Sequence, residues 1–443
     1  MFSLHAFFAN TPNGFYAHDS DSAIAQIRVF SFISFTLILA VTLSPVVHAT
    51  PLTFDDALRL SSSYAPILSA SHAEIEAASR NSENAGALPD PKGFLGVNNF
   101  PLNGMDRFRF NAPDMTMQEI GVMQEIPNRA KRDARVAASI ANIEKNRALH
   151  HLNVITTKQQ TAEAWLECFY LNQKIILLDA LSAENRLLEA VTHANIAAGD
   201  ALPADALMAR TEDAALADRR DDLTRDIAIA HSTLRRLIGD AAERPLAVSA
   251  PQWEAPFEQW RQIIGDHPQL LARYAEHKQM QAQIKEAEAE KKPDWGIELA
   301  YQRQRSSMEN SNINMIMLRF SFTLPLFTET RQNPMIRARY AEETGHIAMI
   351  ENERQMLAEV LEQDAARDSQ NSAALQRLIQ IWLPLLDEKI ALQETAYAAG
   401  KAPLATVLDA RRERIEMQLK KIDLEKERAQ RRAQWALIFG ERS

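Results

Sequence analysis

The sequence predicts a mainly α-helical chain interrupted by membrane β-hairpins and built as two tandem repeats, and three observations predict it. Long stretches lack any helix breaker: neither proline nor glycine occurs from Asn128 to Ala198. Once in each half a segment with a period of two takes over, most clearly where Ile316, Leu318, Phe320, Phe322 and Leu324 alternate with Met317, Arg319, Ser321 and Thr323. Such alternation gives a strand one apolar and one polar face. Finally, a segment of the first half recurs in the second at a nearly fixed distance, which is the mark of an internal duplication.

Composition narrows the class. The chain has 443 residues, 46% hydrophobic and 24% charged, with 13 glycines. It is too apolar for a disordered chain and too glycine-poor for an ordinary α/β enzyme rich in tight turns. A net charge of -9 lacks the basic field that a nucleic-acid surface needs. The lone Cys168 excludes an intrachain disulfide and a cysteine-built zinc site. No G-x-x-x-x-G-K-[ST] loop, G-x-S-x-G elbow or H-E-x-x-H helix is present, so no enzyme, catalytic residue or cofactor is expected, and energy for any transport must come from a partner.

The N-terminus reads as an export signal. Arg28 precedes an apolar run from Val29 to Leu43, followed by Pro45 and the small residue Ala49. Residues 1–49 are therefore expected to be a secretory signal peptide. Asp19 and Asp21 are foreign to a basic n-region and place the expected translation start further downstream. The alternative, a membrane anchor, needs about 20 apolar residues, more than this run supplies. Cleavage after Ala49 would leave 394 residues with a charge of -8, and no cysteine at the new terminus to be lipidated. No later run reaches 18 apolar residues, so such a chain would meet a membrane through strands or by association.

The duplication sets the domain plan. Ala197–Arg210 resembles Ala398–Arg411, with Arg210 and Arg411 201 residues apart, and Leu237-Ile238-Gly239 recurs as Ile438-Phe439-Gly440. Pro66–Ala70 resembles Pro268–Ala272, and Ile126-Pro127 resembles Leu324-Pro325. The expected repeats are 50–250, with a hairpin over 93–126 and a helical tip near 199, and 251–443, with a hairpin over 295–326 and a tip near 400. In each, the opening helix (Thr53 to Asn84, Pro268 to Lys292) leads into the hairpin. The strands are expected at Gly93–Phe100, Met115–Ile126, Trp295–Arg305 and Asn314–Leu326. Trp295, Tyr301 and Phe327 stand near strand ends, where aromatic girdles sit.

After each hairpin comes a long helix. Leu152, Ile155, Gln159, Ala162, Leu166, Phe169, Gln173, Ile176, Ala180, Ala183, Leu187, Ala190 and Ala194 step by three and four, as a coiled-coil seam does. Gly199 and Gly400 end the outgoing helices, and Pro203 and Pro403 stand where the return helices (Ala204 to Ile238, Leu404 to Phe439) begin. Each return helix is half as long as its partner, so the opening helix is expected to stack on its end. Four strands cannot close a transmembrane barrel, and an edge open to lipid leaves backbone groups unpaired. Copies must then combine: two would give eight strands and three would give twelve.

These residues resemble the TolC-type outer-membrane efflux protein family over nearly all of the chain beyond residue 49. The resemblance rests on the twofold repeat, the proline after each hairpin, Gly-x5-Asp at Gly199 to Asp205, and Tyr-x2-Gly with Val-Leu-Asp-Ala at Tyr397, Gly400 and Val407 to Ala410. It implies a homotrimer with a 12-stranded barrel in the outer membrane and an α-helical tunnel projecting into the periplasm. There it would dock a periplasmic adaptor protein and an inner-membrane efflux pump, acting as a passive exit duct. It also implies a channel gate. Asp205 and Tyr397 match residues that hold the entrance closed, whereas the arginine two residues after the second tip glycine is replaced by Ala402, next to Lys401. Asp409 matches one of two acidic-ring positions and Thr406 departs from the other. Gly199, Leu202, Gly400 and Pro403 would face the adaptor. The bland reading of Asp205 and Asp409 is a carboxylate in the first turn of a helix, where it complements the dipole.

Leu88–Pro91 and Val122–Pro127 resemble members linked to heavy-metal efflux. Met105, Met115, Met117, Met123, Met308, Met315 and Met317 gather in or near the hairpins, where thioethers suit soft metals but also fill apolar gaps. Adjacent His150 and His151 cannot face the same way, and no metal site is expected. Two rival classes remain: an exported structural or adhesive coiled-coil protein of the cell envelope, which predicts no matched hairpins, and a periplasmic adaptor, which should carry a small β-rich module.

Overall fold

A computed structural model of the protein describes residues 50–199, 202–309 and 311–440. The expected signal peptide lies outside the described residues.

Thr53 caps the first helix, its hydroxyl accepting the Asp56 amide hydrogen at 3.1 Å, with Asp55 and Asp56 in the first turn. The helix expected from Thr53 to Asn84 is divided in two, α1 (Phe54–Tyr64) and α2 (Pro66–Glu83). Pro66 has no amide hydrogen to continue the ladder and holds Ala65 extended, at ψ 119°. Strands β1 (Lys92–Asn98) and β2 (Met117–Ile126) follow, then α3 (Arg129–Ala198), a single helix of 70 residues and about 105 Å. The chain returns in α4 (Pro203–Ile238), makes a 3-10 turn at Gly239–Glu243, and passes through the short α5 (Phe257–Gln262) into α6 (Pro268–Ala289). Strands β3 (Trp295–Arg305) and β4 (Asn312–Phe322) lead to α7 (Gln332–Arg377) and α8 (Leu383–Ala398), and α9 (Leu404–Phe439) returns. A π-helical turn at Leu378–Trp382 joins α7 to α8. Its cause is Pro384, which cannot donate to a carbonyl one turn back, so the helix widens locally rather than breaking.

The four strands form one sheet in the order β1-β2-β3-β4, every neighbour antiparallel. Expected and observed limits differ at β1, β2 and β4. β4 stops at Phe322 rather than Leu326: the Thr323 amide makes a last ladder bond to the Asp294 carbonyl at 2.9 Å, the Asp294 amide turns to the Thr323 hydroxyl at 2.8 Å instead of completing the pair, and Pro325 can donate nothing. A polar joint fixes the sheet to α3: the Asp294 carboxylate accepts from the Asn128 backbone (2.7 Å) and side chain (2.9 Å), and Asn128 in turn caps α3 through the Lys131 amide at 2.8 Å.

α3 is flanked by α2, α4, α6 and α9. Its seam changes face along its length. Ile155, Ala162, Leu166 and Phe169 are buried as the heptad predicts. Beyond them the buried positions are Leu171, Leu178, Leu181, Asn185 and Thr192, with Leu178 and Leu181 packed with Leu216 of α4 and Ile415 of α9. Of the expected seam, Gln173, Ile176, Ala180, Ala183, Leu187, Ala190 and Ala194 are exposed. This corrects the heptad reading: α4 and α9 seat on a stripe about two residues out of phase with it, and the expected stripe is turned away from the chain's own partners.

The main core lies where the N-terminal segment crosses α3. Trp165 is fully buried, edge-on to Phe54 (5.6 Å), stacked on Phe169 (5.4 Å), and its indole N–H donates to the Leu52 carbonyl at 3.2 Å. Leu52 itself forms a parallel bridge with Leu246 of the segment that links the two halves. Cys168 is buried in this core, and burial pushes its thiol up to about 12, which makes it a packing residue without thiolate chemistry.

A second core gathers Trp260, Ile264, Leu361, Trp435 and Phe439 around the start of α6. His267 caps α6, its Nδ1 accepting the Gln269 amide hydrogen at 3.2 Å, with the ring edge-on to Trp435 and Phe439. Burial lowers its pKa from 6.5 to about 4. The unfolded chain therefore binds a proton that the folded chain refuses, so this contribution is intact above pH 6.5 and is lost as the pH falls towards 4. The loss amounts to about 3 kcal/mol at most. A guanidinium unfolding midpoint should fall across that window, and His267→Asn, which can cap without titrating, should flatten the profile.

Candidate duct-forming sheet and helical tips

The sheet has two chemically different faces, and the register fixes which residues share each. One face carries the rungs Leu95–Ile120–Tyr301–Ile316, Gly93–Val122–Leu299–Leu318, Gln124–Ile297–Phe320 and Ile126–Trp295–Phe322. Its large apolar side chains are exposed, Leu95 at 81% and Ile316 at 78%. A water-soluble domain does not leave such a face open. The opposite face is polar. Glu119 accepts from Asn98 (2.7 Å) and Gln302 (3.2 Å), and Glu298 pairs with Arg319 at 3.3 Å. Met117, Met123, Met315 and Met317 lie on this polar side by register, while Met105 and Met308 project fully exposed from the hairpin loops. Gly121 is required there, because a Cβ would lie 2.5 Å from the Phe94 ring and 2.8 Å from the Leu299 carbonyl oxygen. Each outer strand, β1 and β4, has a neighbour on one side only within the chain.

At the far end of α3, Gly199 adopts φ 85° and closes the helix, and Gly400 does the same after α8 at φ 66°. These left-handed conformations favour glycine. Leu202, 69% exposed, and Pro403, also exposed, are the N-cap residues of α4 and α9. Both tips thus present a glycine and an uncovered apolar residue.

The residues expected at the gate do not meet within one chain. The Asp205 carboxylate turns back to the Leu202 amide hydrogen at 3.1 Å and serves its own helix. The Tyr397 ring packs against the cluster of Leu404, Val407 and Leu408, with its hydroxyl buried and without a hydrogen-bond partner among the described residues. Thr406 donates to the Pro403 carbonyl at 2.8 Å, a local cap. Asp409 is exposed and accepts from Arg412 at 3.4 Å.

Sequence reading missed Glu212 and Arg412. Glu212 of α4 is 8% exposed and accepts from the Arg412 guanidinium of α9 at 2.7 Å, a contact that raises the Arg412 pKa above its usual value. A second pair, Arg219 with Glu416 at 3.8 Å, joins the same two helices. No local signal marks these residues among the many charges of α4 and α9. Among the described residues no group of three or more His, Cys, Asp or Glu side chains is placed to hold a metal ion, and no helix is long and apolar enough to cross a membrane.

The sequence profile of the outer membrane efflux proteins matches residues 260–441. Over residues 260–441 the chain is similar to the outer membrane efflux protein family. That family is one of transport ducts, not of enzymes. The fold extends the likeness to both halves. The outer-membrane channel OprN superposes with a TM-score of 0.70 at 16% identity, covering 87% of this chain and 89% of that one. The outer membrane protein VceC of Vibrio cholerae gives 0.69 at 15% identity, covering 86% and 95%. CusC, described in terms of folding and transmembrane channel formation, gives 0.67 at 14% identity, covering 88% and 92%. At these identities the fold is what is shared. No curated protein matches the sequence.

Proposed function

We propose that this chain is the outer-membrane duct of a tripartite efflux system. Three copies would join β1 of one to β4 of the next and close a 12-stranded barrel in the outer membrane, while their helices continue it as a tunnel into the periplasm. The observation that carries this reading is a four-stranded sheet with an exposed apolar face and two outer edges, fixed by Asn128 and Asp294 to a 70-residue helix. In lipid those edges need partners, and three copies supply them without leaving a free edge. The two halves, 50–250 and 251–443, each contribute a hairpin and a tip, in keeping with a duplication.

On this reading the tips carrying Gly199, Leu202, Gly400 and Pro403 face a periplasmic adaptor, and substrate arrives from an inner-membrane pump. Asp205, Tyr397, Thr406 and Asp409 lie around the tunnel mouth, where three copies of Asp409 would favour cations. A heavy-metal cargo is the second reading, and the observation that favours it is the set of four thioethers on the polar face of the sheet. The test is direct. Protein extracted from outer membranes should have the mass of a trimer and form cation-selective pores in planar bilayers; a monomer that inserts no pores would overturn the proposal.

A further inference from the structure

The contact that would hold the tunnel mouth closed through Asp205 and Tyr397 is absent within the chain, yet another link joins the two helical pairs close by. Asp205 is occupied by its own helix, the Tyr397 hydroxyl has no partner among the described residues, and Ala402 offers no guanidinium. Seven residues further along α4, or about 10 Å at helical rise, stands Glu212. It is almost wholly buried beside Leu181, Leu216 and Ile415, with Arg411 and Arg414 of α9 nearby but engaged by Glu394 and Asp387. A buried carboxylate is tolerated when a cation meets it directly, and removing that cation leaves its charge poorly compensated. Arg412 is the cation, at 2.7 Å. It comes from the other helical pair, and its second terminal nitrogen reaches Asp409 at 3.4 Å. One guanidinium thus links α4, α9 and the acidic side chain expected to line the mouth.

We propose that Glu212 and Arg412 form the clasp that keeps the α3–α4 and α8–α9 pairs of one protomer together at the tunnel entrance, with Asp409 held by the same guanidinium. The inference rests on the duct reading and adds to it the residues that position the gate. Two features distinguish a clasp from incidental surface pairing. The pair spans elements 200 residues apart in sequence, and its acid is buried, so screening by salt is weak. When the helical pairs separate, Arg412 leaves Glu212 and keeps Asp409, its neighbour one turn away on α9, so the charge balance at the mouth changes with the state of the gate.

The experiment uses the full-length protein in planar bilayers, with trimer mass checked beforehand. Arg412→Gln and Glu212→Gln should each raise open occupancy about tenfold or more, because each removes the bond that resists separation. The double variant should resemble either single one, since both delete the same contact. Wild-type occupancy in an assembled single variant, or a double variant whose effect is the sum of the two, would overturn the clasp. If Arg412→Gln fails to assemble, Arg412→Lys keeps the charge but loses the planar fork, and it should still raise occupancy; unchanged gating there is equally fatal. A wild-type protein that forms no pore at all refutes the duct reading and takes the clasp with it. Wild-type pores whose gating these substitutions leave alone refute the clasp only.

Discussion

Leu318→Arg is expected to strip the protein from the outer membrane, whereas Met317→Arg, one residue earlier, should leave it there. The two positions face opposite sides of β4. Leu318 shares its rung with Leu299, Val122 and Gly93, midway along the exposed apolar face. A guanidinium near the bilayer midplane costs about 2–4 kcal/mol in each copy of a barrel protein. Three copies would meet that cost in one assembly. Met317 is paired with Ala300 on the polar side, where its sulfur already accepts from Arg319 at 3.5 Å and Gln302 at 3.6 Å, so another cation there meets water. The measurement is the amount of trimer recovered from isolated outer membranes. A loss of more than about tenfold for Leu318→Arg, beside near-normal recovery for Met317→Arg, is the expected pattern. Equal recovery would mean that the apolar face does not lie in lipid.

How far that face could be read from sequence differed strand by strand. β3 was legible to the residue, Trp295 to Arg305, because apolar and polar positions alternate and a polar loop follows. In β4 the alternation runs on through Leu324 and Leu326, whereas the ladder ends where the Asp294 amide takes the Thr323 hydroxyl in place of a backbone carbonyl. β1 and β2 alternate less cleanly. Glu119 and Met123 make sense only once the register places them beside Gln302 and Glu298 on the polar face. The 70-residue α3 followed from the absence of any breaker, but its packing did not. Ile176 and Leu187 satisfy the heptad as well as Leu178 and Leu181 do, and only the positions of α4 and α9 decide between the stripes.

At the tips, the glycines were legible because a helix that ends and restarts needs a left-handed residue, and Gly199 and Gly400 supply it. The roles of the acids were not. Asp205 could be a gate or a cap, and in the single chain it caps. Glu212 carries no signature, since its burial depends on Arg412, 200 residues away. Pairing between distant charges on long amphipathic helices is a property of the packed state. Local spacing cannot encode it, whereas the breaks at Pro66 and Pro384 are local and were open to a closer reading.

Trp165→Ala is expected to be the most damaging substitution in the helical body, at about 3–5 kcal/mol, the range for emptying a buried indole site. The argument concerns what Trp165 joins as much as its volume. It is fully buried between α3 and the N-terminal segment, with Phe54 edge-on and Phe169 stacked against it. Phe54 also meets Trp253, at 5.0 Å, in the segment that links the two halves. The Leu52 carbonyl would keep the Ala247 amide as a donor, so losing the indole N–H leaves no orphaned acceptor and the cost falls on packing. Trp165→Phe, which restores most of the ring, should therefore recover much of the loss. The local consequence is testable by hydrogen exchange. The Leu52 and Ala247 amides, which bond to Pro245 and Leu52 across this junction, should exchange faster in Trp165→Ala while β2 and β3 keep their protection. Exchange that rises equally in the sheet would show that the N-terminal segment, α3 and the linker do not form a separate cooperative unit, and that the Trp165 core supports the whole chain.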